Sequence, residues 1–458
     1  MPLTAVIGVD IGTSSSKGVL VALDGTVIHT AVREHTVDRP APGHSEMDGQ
    51  IWWEEFVSLT RELTAAHDTQ VVAVGVSGMG PCVLLTDEKD QPVRPAVLYG
   101  VDTRSVAQIA RLEAELGPDA IVERCGSRLT SQAAGPKIAW IAEHEPEQYA
   151  RARRLYMPSS WLVRGLTGAY VLDHHSASQC TGLVTPEAAR LTGLPAGIPV
   201  TVGTIDAWAE ALSVGAHGIG DLMLMYGTAM FLVHTVPDLL RHPALWSTVG
   251  ALPGTRNLAG GMATSGAVTG WLRDLFAAGD YGELLRLAGE SGPGARGLLM
   301  LPYFAGERTP VDDPRARGVI AGLTLSHTRG DLYRAALEAT AFGVRHNIET
   351  LVDAGGDIGR VVAVGGGVQG GLWTRIVSDV TGRAQELRAT SVGAGYGGAL
   401  LAAQLVSDAD IDAWNPVVDV VEPHPETADC YDRLYALYRE LYPASAPVVH
   451  ALADLQTR

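Results

Sequence analysis

Positive charge is in short supply in this chain: Lys and Arg number 34 against 51 Asp and Glu, a formal net charge of −17. No basic face is legible, which argues against nucleic acid as a partner. An anionic ligand would need a local cationic or metal site. Cysteine is also scarce. Cys82, Cys125, Cys180 and Cys430 are widely spaced with no CxxC, and read as reduced core thiols of a cytoplasmic protein. No run of about 18 uninterrupted apolar residues occurs, so no membrane span is expected. The first apolar run is broken by Asp10 and follows no charged region, which speaks against a signal peptide.

Apolar content and length are ample. The chain has 458 residues, 46% of them hydrophobic, so two or more domains with ordinary cores are expected.

The most informative stretch is 6–23. An apolar strand runs into a lone carboxylate, Asp10, then a turn of small hydroxyl residues, and a second strand leaves at Lys17. Gly12 lets the backbone approach a ligand closely. The N–H groups and hydroxyls of Thr13, Ser14, Ser15 and Ser16 could cradle a phosphate, with Asp10 placed to hold its metal ion. An ordinary polar hairpin with a buried Asp is the plainer alternative. The turn leads to a strand and lacks Gly-Lys-Ser/Thr, so it is not a Walker loop. Residues 221–235 repeat the pattern, with Gly227-Thr228 at the turn, about half a chain later. That repeat suggests duplicated domains facing each other across a nucleotide.

Strands are predicted at 5–10, 17–23, 26–32, 70–77, 221–227, 230–235, 257–263 and 360–364. Helices are predicted near 49–66, 103–116, 136–143, 158–166, 266–277 and 328–353. Gly343 in the apolar stripe of the last one hints at close packing. Residues 198–206 read as a strand ending in a carboxylate at a helix start. Gly215, Gly218 and Gly220 mark a domain boundary. The alternation of strands and helices indicates α/β domains with mixed sheets.

Asp206, just beyond a strand end, is a candidate general base for a hydroxyl proton, or simply a helix N-cap. Gly365-Gly366-Gly367 before Gln369 could hold a nucleotide against bare backbone, or be a tight packing turn. A nicotinamide-dependent oxidoreductase would rest on this run alone; no acidic residue stands at a clear strand end about 20 residues on. His174-His175 with Asp173 lacks a third ligand at standard spacing and reads as structural. Trp52-Trp53 reads as helix core. Glu307-Arg308-Thr309-Pro310 alone reads as a solvated loop.

Together these residues resemble the FGGY carbohydrate kinase family of the actin-like ATPase superfamily, over nearly the whole length. Asp10-Ile-Gly-Thr13-Ser-Ser-Ser-Lys17 resembles the family's first phosphate hairpin. Residues 318–338 fit its C-terminal signature, including Gly322, Asp331, Ala335 and Glu338. Residues 301–318 are similar to the xylulokinase branch, and so are Ser265-Gly266-Ala267 before Trp271. The resemblance implies two actin-like (ribonuclease H-like) α/β domains, 1–214 with the sugar site and base and 215–458 with the nucleotide site. It implies that Asp206 deprotonates a sugar hydroxyl that attacks the γ-phosphate of ATP, with Mg²⁺ near Asp10. Gly12, Thr13, Ser14, Lys17, Gly227 and Thr228 would hold phosphates, and Gly266, Gly366, Gly367 and Gln369 the nucleoside. Met79 and Gly80 would meet the sugar.

Departures qualify the substrate. Gly80 stands where xylulokinases carry a sugar-contacting His, and Tyr99–Arg104 is one residue longer than the family segment. Ala134 and Gly135 depart from the family types near Lys137 and Trp140. D-xylulose is the first candidate; another ketose, a tetrulose, a polyol or gluconate is the alternative, as is a non-catalytic ATP-binding sensor of the same fold. The resemblance allows a homodimer, though no seam is legible.

Overall fold

The computed structural model describes residues 2–172 and 179–456. It contains two seven-stranded mixed sheets of related topology. The first holds β1 (Leu3–Ile11), β2 (Ser15–Ala22), β3 (Val27–Glu34), β4 (Thr69–Gly78), β5 (Cys180–Leu183), β6 (Pro199–Thr201) and β7 (Thr204–Ile205). Their order is β3-β2-β1-β4-β6-β5, with β7 alongside β4. The second holds β8 (Asp221–Tyr226), β9 (Met230–Val236), β10 (Trp246–Val249), β11 (Arg256–Met262), β12 (Arg360–Val364), β13 (Gln385–Arg388) and β14 (Val417–Val421). Their order is β10-β11-β9-β8-β12-β13-β14. In each, an antiparallel hairpin (β1/β2, β8/β9) gives its first strand a parallel partner, β4 or β12, through a long crossover. The duplication expected from the two Gly-Thr turns is thus present in the topology.

The principal helices are α1 (Gly49–Ala65), α2 (Pro158–Thr167), α3 (Asp206–Ser213), α4 (Gly266–Leu275), α5 (Tyr281–Ser291), α6 (Arg329–Asp353), α7 (Leu372–Thr381), α8 (Ala394–Gln404) and α9 (Ala428–Gln456). Strand alternation sorts the core. Ala5, Ile7, Val9 and Ile11 face α1 and α2, whereas Val6 faces the opposite layer with Val19 and Val21. That opposite layer is shared: Trp208 of α3 and Ala399 and Leu400 of α8 pack between Val6 of the first sheet and Met223 and Val362 of the second. The far face of the second sheet is covered by α4–α7 and α9. Burial on both faces explains why the central strands read as continuous apolar runs.

Helix α8, although late in the chain, lies directly on the first sheet. A Cβ added at Gly8 would sit 1.9 Å from the Gly395 carbonyl oxygen, and one at Gly75 would sit 1.9 Å from that of Gly398. Glycine here permits backbone-to-backbone approach. Gly343 does have the expected close neighbour, since a Cβ there would meet Met262 Cε at 2.4 Å.

Two expectations are corrected. Only Cys82 is buried; Cys125 and Cys180 are exposed and Cys430 is intermediate, although all four are free thiols. Residues 307–310 are not a solvated loop. Glu307 is buried and accepts hydrogen bonds from the Ala263 and Arg308 N–H groups, both at 2.7 Å. The Arg308 N–H is Glu307's own neighbour, but the fold brings the Ala263 N–H to this carboxylate from a position that the sequence does not show to be near. His174, His175 and Asp173 lie outside the described residues. Among the described residues no helix is long and apolar enough to cross a membrane.

Candidate active site

The first hairpin turns at Gly12, whose N–H donates to the Ser15 carbonyl at 3.0 Å. The turn is propped from outside. His35 contacts the Gly12 carbonyl oxygen through Nε2 at 3.1 Å and the Glu55 carboxylate through Nδ1 at 2.9 Å. The Ser16 hydroxyl donates to the same carboxylate at 2.6 Å, while Thr13 Oγ1 lies 2.7 Å from the Tyr99 hydroxyl. Lys17, opposite Asp10 in the hairpin register, donates to the carbonyl of Val392.

Asp10 ends β1 beside Ser77 of β4, and its Oδ1 accepts from the Ser77 hydroxyl at 2.8 Å. Asp206 is the first residue of α3, with Ile205 rather than Asp206 as N-cap. Its Oδ1 accepts the Ala207 N–H at 2.8 Å. Burial pushes the Asp206 carboxyl up to about 6, against the pull of that hydrogen bond. Burial and then the charge of Asp206 push Asp10 up to about 7, with Ser77 and Lys17 acting the other way. Glu210, one turn along α3, completes the acidic group. Burial pushes it to about 7, opposed by the Lys17 ammonium and aided by Asp206. The i, i+4 spacing from Asp206 was the available sequence signal for Glu210. Among the described residues no three acidic, histidine or cysteine side chains converge as a metal-ligand group; Asp10, bonded through one oxygen only to a neutral hydroxyl, suits a metal-bound water as a single carboxylate.

The second hairpin turns at Gly227-Thr228 and is clasped by the start of α4. The Gly266 N–H donates to the Gly227 carbonyl at 3.0 Å, and the Ser265 and Ala267 N–H groups donate to Thr228 at 2.9 and 3.0 Å. The positive end of α4 therefore adjoins this turn, with its first N–H groups spent on the hairpin carbonyls. Gly227, Thr228, Gly266, Gly366, Gly367 and Gln369 line one open cavity of about 510 Å³. The sequence reading missed its remaining walls, Tyr226, Thr269, Tyr281, Leu285, Tyr333, Leu337 and Trp373. The triple glycine is divided in role. A Cβ at Gly366 would meet nothing within 4 Å, whereas one at Gly367 would lie 2.8 Å from Trp373 Cζ3 and 2.9 Å from Tyr226 Cβ. The cavity and the first hairpin are linked: the Gly365 N–H reaches Ser391 Oγ at 3.4 Å, next to the Val392 carbonyl that Lys17 holds.

The residues expected to meet a sugar separate. Met79 is wholly buried in the first core and its N–H donates to the Ile11 carbonyl at 2.8 Å; Gly80 beside it is half-buried. Asp102 is buried, receives four contacts from Arg104 at 2.7–3.1 Å, one of them from its main-chain N–H, and accepts the Ser45 N–H at 2.6 Å. Arg308, not singled out as a site residue, lines a narrow polar pocket with Arg128 and Gln132, and its charge reaches Tyr99.

The profile of the FGGY family of carbohydrate kinases, N-terminal domain, matches residues 5–181, and that of the C-terminal domain matches 222–405. The chain is 28% identical over 457 residues to the xylulose kinase of Escherichia coli (strain K12), covering 92% of each. It is 26% identical over 429 residues to a gluconokinase of Bacillus subtilis (strain 168), covering 82% of each. The crystal structure of xylulose kinase from Rhodospirillum rubrum superposes with a TM-score of 0.92 at 33% identity, covering 97% of this chain and 100% of that one. Two mixed sheets of repeated topology, paired phosphate-type hairpins and these matches agree: the chain is a member of the FGGY family of carbohydrate kinases, with the two-domain actin-like ATPase fold.

Proposed function

We propose that this kinase transfers the γ-phosphate of ATP to a hydroxyl of a small ketose, D-xylulose first among candidates, with Asp206 as the general base. The observation that carries the reading is the placement of Asp206 at a helix start, within Coulomb range of Asp10 at the end of β1. The similarity to xylulose kinases supports the acceptor. Residues 1–214 form the acceptor half and 215–458 the nucleotide half.

Asp206 accepts the proton of the attacking hydroxyl. Its raised pKa makes it a stronger base than an ordinary carboxylate, yet leaves it ionised at neutral pH. Gly12, Thr13, Ser14 and Lys17 from one side and Gly227 and Thr228 from the other bracket the phosphates. Gly266, Gly366, Gly367 and Gln369 hold the nucleoside in the cavity described. Asp10 would hold Mg²⁺, which when bound offsets charge on the transferring group. Gly80, with Met79 beneath it, forms part of the acceptor side. Positioning and electrostatics suffice for phosphoryl transfer, so no covalent intermediate is needed. Such a kinase works in the cytoplasm, where ATP is supplied.

The test is ADP release from Mg-ATP across ketoses, tetruloses, polyols and aldonates. A single strong response to D-xylulose is expected. Strong turnover of gluconate alone would reassign the acceptor, and silence across the panel with ATP still bound would favour a sensor.

A further inference from the structure

Next to Asp206 two apolar side chains, Ile205 and Met157, flank Gly80. Ile205 pairs with Gly78 in parallel register, so Met79 and Gly80 leave the sheet directly beside the start of α3. Ile205, Gly80 and Met157 are each half-buried. A Cβ built on Gly80 would lie 2.6 Å from Ile205 Cγ2 and 3.9 Å from Met157 Sδ. No side chain at position 80 can coexist with Ile205 as it stands. Ile205 is β-branched, with few rotamers to retreat into. Neither Ile205 nor Met157 offers a donor. The nearby Tyr99 hydroxyl is already paired with Thr13.

We propose that Ile205 is a specificity-determining residue of the acceptor site. It holds position 80 to glycine and presents an apolar surface to the acceptor carbon next to the reacting hydroxyl. The acceptor class is a slender linear carbohydrate recognised there by contact rather than by a hydrogen bond. An apolar wall discriminates poorly, by about a hundredfold at most, between acceptors that differ by one hydroxyl, whereas a hydrogen-bonding wall reaches 10⁴ or more. The inference rests on Asp206 being the base and deepens that reading.

The experiment compares wild type, Ile205→Gly, Gly80→Ser and the double variant. Each is assayed for acceptor kcat/KM, for the KM of ATP, and for its ranking of the responding sugar against the analogue lacking the adjacent hydroxyl. Wild-type silence on every acceptor overturns the kinase reading and this inference with it; the remaining outcomes bear on this inference alone. Given a responding sugar, wild type should use the analogue within about a hundredfold. Gly80→Ser should lose about tenfold or more in acceptor kcat/KM with the KM of ATP unmoved, and adding Ile205→Gly should recover most of it. Losses that simply multiply in the double variant overturn the proposal. Should Gly80→Ser fail to fold, Ile205→Gly still decides: an unchanged ranking of the two acceptors overturns it.

Discussion

The negative charge of Asp206, added to burial, pushes the Asp10 carboxyl up to about 7, while Asp206 itself stands at about 6. The two groups sit on different elements, β1 and α3, and meet only because β7 runs parallel to β4 and delivers α3 to the end of the hairpin.

A pH profile follows from this pair. Asp206 accepts a proton only when ionised, so acceptor kcat/KM should fall about tenfold per unit as pH drops below about 6. Asp10, near 7 in the free enzyme, must also be ionised to hold a metal, so the combined fall should begin below about 7 and steepen towards about a hundredfold per unit below about 6. Steady-state rates from pH 5 to 9 check this; a flat profile down to pH 5 would remove Asp206 as the base.

Asp206→Asn should reduce turnover by about 10²–10⁴ while ATP binding persists. It should also stabilise the protein at alkaline pH. Asp10 and Asp206 are raised from an ordinary 3.8, so between about pH 4 and 7 the folded chain binds more protons than the unfolded one. Their contribution is therefore present at low pH and lost as pH rises through about 6–7. Removing one charge relieves the other, so the variant should melt a few degrees above wild type at pH 8 and about level with it at pH 5. Calorimetry at the two pH values gives the answer.

The glycine run offers a separation of binding from packing. Gly366 has open space where a Cβ would go, whereas Gly367 abuts Trp373 and Tyr226. Gly366→Ala should keep the wild-type melting temperature and raise the KM of ATP several-fold. Gly367→Ala should cost about 1–3 kcal/mol of stability. Equal melting temperatures for the two would contradict this division.

Gly8→Ala and Gly75→Ala should be among the most damaging single-methyl changes in the chain. Each places a methyl 1.9 Å from a carbonyl oxygen of α8. Main chain cannot swing aside as a side chain does, so a loss at the upper end of about 1–3 kcal/mol, or more, is expected. Urea unfolding of the purified variants measures it, with Gly366→Ala as the control.

Much of the fold was legible because its signals are local. The apolar runs of β1 and β2, Asp48 capping α1 through Gln50 N–H, and the Thr328–Asp331 capping box of α6 all act within a few residues. Helix α8 was not legible. Its sequence is buried on every side, so it carries no amphipathic period, and its glycines read as breakers. Two carboxylates of the segment most diagnostic of the family prove structural. Asp331 takes the Thr328 N–H at 2.8 Å and the Ser291 hydroxyl at 2.6 Å. Glu338 is buried against Arg334 at 2.7 Å and Tyr431 at 3.0 Å. The carboxylates of this signature thus hold the fold together, while Tyr333 and Leu337 of the same segment line the open cavity.

By itself the sequence determined the hairpins, their carboxylate and hydroxyl residues, and the position of Asp206 at a strand-to-helix junction. These depend on turn chemistry and strand period, which are set by neighbours along the chain. Tertiary structure alone decided that Glu210 and Lys17 join Asp10 and Asp206, that Gly366 opens on a cavity while Gly367 packs, and that Ile205 occupies the space over Gly80. Those outcomes depend on desolvation and on contact between residues up to hundreds of positions apart, quantities that exist only once the two sheets close around α3 and α8.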